Sequence, residues 1–116
     1  MDYFTKYYYR PVVDMTDSFR FLAKRSLNEE VFDLTTDRYA FAVVVWEVLT
    51  EKIAWRRRST VAEITQAVCV EDEKLEMDPI WPPSLRDCLK RAFDEDDSLT
   101  MDDFANVLEK LVTLYT

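Results

Sequence analysis

The sequence predicts a mainly α-helical fold, with one buried central helix surrounded by amphipathic helices and an extended N-terminal segment ahead of them. Three observations predict it. The run from Tyr39 to Leu49 is apolar on nearly every side, and a helix without a polar face must be buried all round. Three later segments place apolar residues at helical spacing behind Thr or Ser caps. By contrast, Met1 to Leu22 is rich in aromatic and β-branched residues and reads as extended or looped.

In chain order, Ser26-Leu27-Asn28-Glu29 fits a capping box and opens a short helical turn. The central helix follows over 37–51, entered through Thr35 and Thr36 as N-caps. Its valine run suits a strand, but the caps and a length of about fifteen residues select a helix. A loop spans 52–59. Thr60-Val61-Ala62-Glu63 is a second capping box, opening a helix to about Val70 with Val61, Ile64, Ala67 and Val68 on one face. Glu71 to Pro83 is a connection holding Pro79, Pro82 and Pro83. Ser84 caps the next helix, whose Leu85, Cys88, Leu89, Ala92 and Phe93 share one side. Thr100-Met101-Asp102-Asp103 opens a terminal helix that turns Phe104, Val107, Leu108, Leu111 and Leu114 inward. No repeat or low-complexity linker divides the chain, so residues 1–116 form one domain whose helical core is 26–116.

The 116 residues are 48% hydrophobic and 33% charged, a globular composition. A net charge of −8 argues against nucleic acid or anionic membrane as the main partner. Residues 1–68 are neutral overall, so the whole excess falls in 69–116 and gives that half an acidic surface. The absence of His removes Ser-His-Asp triads, Cys-His dyads and imidazole bases. The absence of Gly removes P-loops, dinucleotide fingerprints and Gly-rich phosphate loops. Cys69 and Cys88 lack CxxC spacing and read as reduced, buried thiols of a cytoplasmic protein. The apolar run Phe41 to Trp46 is too short to span a membrane, and the N-terminus has no signal-peptide core.

The central segment Asp37-Arg38-Tyr39-Ala40-Phe41-Ala42-Val43-Val44-Val45-Trp46-Glu47-Val48-Leu49-Thr50 resembles helix F of eukaryotic protein kinases, D-x-Y-S-F-G-V-V-L-W-E-L-L-T, at about nine of fourteen positions. Asp37, Tyr39, Phe41, Trp46 and Glu47 carry the match, and the Trp-Glu pair resembles the tyrosine-kinase-like branch. Lys52-Ile53-Ala54-Trp55 is similar to the loop after that helix, Val61 to Val68 to helix G, Trp81 through Asp94 to helix H, and Thr100 to Leu111 to helix I. Upstream, Ser18-Phe19-Arg20-Phe21-Leu22-Ala23-Lys24-Arg25 is similar to the end of an activation segment, S-F-R-F-M-A-P-E, so residues 1–25 are activation-segment-like. Asp2-Tyr3-Phe4 resembles a worn Asp-Phe-Gly.

The resemblance implies a partial kinase C-lobe, truncated to the activation segment and helices F to I. The family's N-lobe lysine, glycine-rich loop, and catalytic-loop Asp and Asn have no counterpart. The expectation is therefore a chain that is not an enzyme, a pseudokinase fragment needing no cofactor or metal. The family pairs the Glu of Ala-Pro-Glu with an Arg of the Arg-Pro before helix I. Here Arg25 holds the Glu position and Ser98-Leu99-Thr100 lacks the Arg-Pro, which reads as loss of both partners. Asp37 either serves the N-terminus of its own helix or contacts a partner.

A kinase shields helix F with helix E and the catalytic loop, and here something must cover the same apolar helix. Candidate binding residues are Tyr7, Tyr8 and Tyr9, which also suit packing on the central helix, Phe19 and Phe21, and the loop residues Trp55, Arg56, Arg57 and Arg58. Trp55 is the best candidate for an exposed anchor. The three arginines suit a solvated loop, an acidic partner or the acidic face of a second copy. Asp94-Glu95-Asp96-Asp97 departs from a calcium loop, with Leu99 at the glycine position and Ala105 at the closing glutamate. The expected role is a protein-binding decoy or inhibitor of a genuine protein kinase, with a homodimer possible. The alternative is a scaffold that binds a basic peptide of a non-kinase partner.

Overall fold

The computed structural model describes residues 16–115. They form α1 (Thr16–Phe19), α2 (Lys24–Glu29), α3 (Leu34–Thr50), α4 (Val61–Thr65) running on as a π-helix (Gln66–Val70), α5 (Pro83–Phe93) and α6 (Met101–Tyr115). No strand occurs among the described residues. The expected mainly α-helical kinase C-lobe arrangement is the one observed. α3 packs on α5, α5 on α6, and α2 on both α4 and its π-helical extension.

The sequence reading is right about the helices and wrong at several of their ends. Thr16–Phe19 is a helical turn rather than extended chain, while Tyr7, Tyr8 and Tyr9 lie outside the described residues. α2 starts at Lys24 behind an uncapped Ala23, and Ser26 donates to the Val31 carbonyl instead of capping. The cap of α3 is Asp33, three residues before α3's Thr36. Its carboxylate accepts from Thr36 N at 3.0 Å while Thr36 Oγ1 accepts from Asp33 N at 2.8 Å, a reciprocal box that Thr completes in place of Glu. α5 starts at Pro83, without a side-chain cap, so Ser84 is not the cap; proline suits a first-turn position, where an N–H has no intrahelical acceptor. Thr60 and Thr100 cap as expected, each accepting from the backbone N–H three residues on, at 3.1 Å.

The core is one cluster in which Tyr39, Ala42, Val43 and Trp46 of α3 meet Leu85, Cys88, Leu89, Ala92 and Phe93 of α5. Tyr39 meets the Phe93 ring edge-on at 5.7 Å between centroids, and Phe41 meets Phe104 of α6 in the same way at 5.3 Å. Burial pushes the Cys88 thiol up to about 11 and also raises Cys69 above its ordinary value. Both are free cysteines.

The chain contains no glycine, yet Glu30, Glu51, Trp55, Asp72 and Glu95 all adopt left-handed backbone, with φ between 52° and 58°. A Cβ there crowds the following carbonyl, and glycine relieves it. Glu51 is the C-cap of α3, donating its N–H to the Glu47 carbonyl at 2.8 Å. Glu51→Gly is expected to raise stability by about 0.5–1 kcal/mol, read from the urea midpoint. An unchanged or lowered midpoint contradicts that account of the cap.

Candidate protein-binding site

α3 anchors two neighbouring segments through adjacent side chains. Trp46 Nε1 donates to the Glu76 carbonyl at 2.6 Å and pins the extended 71–80 connection against the helix. Glu47, next to it, turns the other way and accepts from Ala54 N at 2.8 Å. The buried Arg20, after α1, approaches the same loop from outside. Its Nη1 donates to the carbonyls of Ala54 at 3.1 Å and Trp55 at 2.6 Å, and its Nε pairs with Asp17 at 3.0 Å. The left-handed Trp55 is thus held by the loop's partners on both sides, which is how such strain persists.

Trp55 is 7% exposed, so the expectation of an exposed anchor is wrong. The loop is tied inward by Arg20 and Glu47, and the indole becomes core. Arg58 is also not free: it pairs with Glu71 and Glu73, each at 3.0 Å, and these carboxylates raise its pKa. Arg56 and Arg57 are exposed. Phe19 is half-buried, and Phe21 packs against the core.

The acidic loop between α5 and α6 is engaged within the chain. Asp94 pairs with Lys90 and Lys74, Asp96 with Arg91, and Asp97 accepts from Thr35 Oγ1. Hydrogen bonds from Ser98, reinforced by Arg91, hold the Asp96 carboxyl down at about 2.

Arg25, at the position where the resemblance puts the family's Glu, is paired within the chain. Arg25 Nε donates to Glu95 Oε1 at 3.0 Å, and its Nη2 donates to both oxygens of Asp33 at 3.0 Å. An Arg at the end of the activation-segment-like stretch now meets a Glu before the last helix. The spacing of Glu95 from the absent Arg-Pro hid this from sequence reasoning; the unspent signal was an unmatched Arg25 beside an acidic loop. Arg25→Glu, which restores the family residue, is expected to lower the thermal midpoint, and adding Glu95→Arg to recover part of the loss. Additive effects in that double-mutant cycle would show that the two residues are not coupled.

The expectation that the central helix is buried all round is also corrected. Leu34, Val44 and Val48 are 74%, 44% and 71% exposed, and with the half-buried Phe41 they form a ridge along one side of α3. Positions 34, 41, 44 and 48 lie on one side of the helix, with Asp37 and Arg38 between Leu34 and Phe41. The exposed Asp37 lies on it in the first turn. Among the described residues no group of three or more metal-binding side chains assembles, and no helix is long and apolar enough to cross a membrane.

A helix carrying Trp46 and Glu47, flanked by three further helices in this order, defines a protein-kinase-like C-lobe. The chain belongs to that family: residues 2–111 match the family described as protein tyrosine and serine/threonine kinase. It is also 30% identical over 69 residues to the dual specificity protein kinase shkC of Dictyostelium discoideum, a match covering 60% of this chain and 12% of that protein. The chain thus spans about an eighth of the curated relative. The expectation that the chain is not an enzyme is overturned here, because family and relative alike are protein kinases.

Proposed function

We propose that this chain presents the helical base of a protein kinase and binds protein through it. The α3 ridge receives a kinase polypeptide segment, and through that contact the chain regulates the kinase it joins. Phosphoryl transfer, the activity named for the family and the relative, belongs in this reading to the whole kinase. The observation that carries the proposal is the ridge of Leu34, Phe41, Val44 and Val48 on a helix otherwise packed in the core. An exposed apolar surface of this kind is an interaction site unless something covers it. A chain presenting a kinase's helical base competes for the segments that kinase contacts, so its regulatory effect is inhibitory.

A basic peptide on the acidic half has less support. Glu71, Asp72, Glu73, Asp94, Glu95 and Asp96 are already paired with Arg or Lys of this chain.

Tagged chain isolated gently from its native cells is expected to carry a protein kinase in stoichiometric amount and to lower that kinase's activity. Val44→Asp with Val48→Asp, both at exposed positions, is expected to lose the kinase at least about tenfold, since a charge is stranded in an apolar contact. Full kinase activity at saturating chain, or binding indifferent to both substitutions, contradicts the proposal.

A further inference from the structure

We propose that Arg38 is the charged contact of the α3 docking face and that the segment lying along the ridge brings a carboxylate to it. The inference rests on the protein-binding reading of that face. Arg38 is only 9% exposed. Its Nη2 donates to Thr35 Oγ1 at 3.0 Å, and its Nε is buried without an acceptor. It forms no ion pair among the described residues. A guanidinium offers five N–H donors and carries its charge at any physiological pH. Burying its Nε with no acceptor leaves the hydration of that N–H unreplaced.

The surrounding groups do not remedy this. Thr35 Oγ1 already spends its own proton on Asp97 Oδ1, so Asp97 reaches Arg38 only through a hydroxyl. Asp37, the next residue on the helix, is exposed on the ridge and forms no ion pair with Arg38. An apolar side chain of similar length would pack at position 38 without this cost. The buried cation therefore fits a site completed by a group beyond the described residues.

Its place on the helix says what completes it. Position 38 lies one turn after Leu34 and three residues before Phe41, so it borders the exposed ridge. A segment seated on Leu34, Phe41, Val44 and Val48 passes beside it. The planar fork of Arg donates to a carboxylate bidentately. The nearby Asp37 and Asp97 charges disfavour a doubly charged phosphate and are compatible with a single carboxylate. The occupant is thus an amphipathic peptide segment with an apolar stripe at helical spacing and one Asp or Glu beside it.

Two designed helical peptides test this, identical in their leucine stripe, one carrying Glu and the other Gln at the position facing Arg38. Fluorescence anisotropy against the full chain is expected to show the Glu peptide binding about tenfold or more tightly, the scale of one charge-assisted hydrogen bond. Arg38→Met is expected to abolish that preference. Without peptide, the same variant is expected to unfold at higher denaturant than the wild type, because an uncompensated buried cation is gone. Equal affinity for the two peptides overturns the role of Arg38 and leaves the docking face standing. A lower denaturation midpoint for Arg38→Met overturns it too, since the guanidinium is then satisfied within the chain. Binding of neither peptide sinks the docking face and the proposed function with it. A wild-type dimer in sedimentation that Arg38→Met dissociates overturns the foreign segment in favour of a second copy.

Discussion

Trp46→Ala is expected to destabilise the chain by about 3–5 kcal/mol, the loss typical of a large aromatic removed from a core. The indole is buried between α3 and the 71–80 connection, so its removal opens a cavity and frees the Glu76 carbonyl. Trp46→Phe separates the two contributions. It keeps most of the ring and loses only the 2.6 Å hydrogen bond, so it should cost about 1 kcal/mol or a little more. Urea titration of both variants checks the series. Equal midpoints for Trp46→Phe and wild type would mean that the connection does not depend on the indole. Faster amide exchange over 71–80 in both variants, with the α5–α6 pair unaffected, is the local signature expected.

Arg20→Met is the second large effect, about 2–3 kcal/mol, and it acts at the other side of the helix. Arg20 Nη1 serves two buried carbonyls at once. Trp55 O keeps another donor in Arg58 N, at 2.9 Å, but Ala54 O loses its only one among the described residues. An acceptor left dry and unpaired costs more than the bond itself returned. Arg20→Lys should recover less than half, because an ammonium is a point charge and cannot span both carbonyls and Asp17. The left-handed Trp55 should then relax, seen as a rise in indole exposure to a fluorescence quencher. A stable Arg20→Met variant with Trp55 still shielded would show that Glu47 alone holds the loop.

Much of this fold was legible because its apolar residues repeat at the helical period. Leu85, Cys88, Leu89, Ala92 and Phe93 read as one face and are one face. The Asp37 to Thr50 pattern identified the central helix and the family together. The missed features share a physical cause, in that each depends on which atoms meet across the chain. Asp33 capped α3 because Thr36 answered it, a pairing outside the usual Ser/Thr-to-Glu pattern. Trp55 went inward because Arg20, thirty-five residues earlier, found its carbonyl. The ridge was invisible for a related reason: an all-apolar helix gives no sequence signal for the side that neighbours leave uncovered. Val44 and Val48 look no different in sequence from Val43 and Val45, yet only the second pair is buried.

Arg25 shows how a tether can form from positions a family motif does not mark. It pairs with Glu95, three residues ahead of Ser98, with Asp33 sharing the guanidinium. The contact ties the stretch before α2 to the α5–α6 loop whichever end bears the positive charge. Coulomb attraction is indifferent to that exchange, so the tether can invert without the fold changing.

The central claim is that the α3 ridge receives a kinase polypeptide segment. A photo-activated cross-linking residue at position 48, compared with one at the exposed Asp87 on α5, tests it most directly. Irradiation in the native cells is expected to join a protein kinase sequence to position 48 and leave position 87 unlinked. Equal labelling at both positions, or adducts at position 48 that contain no kinase sequence, would contradict the account.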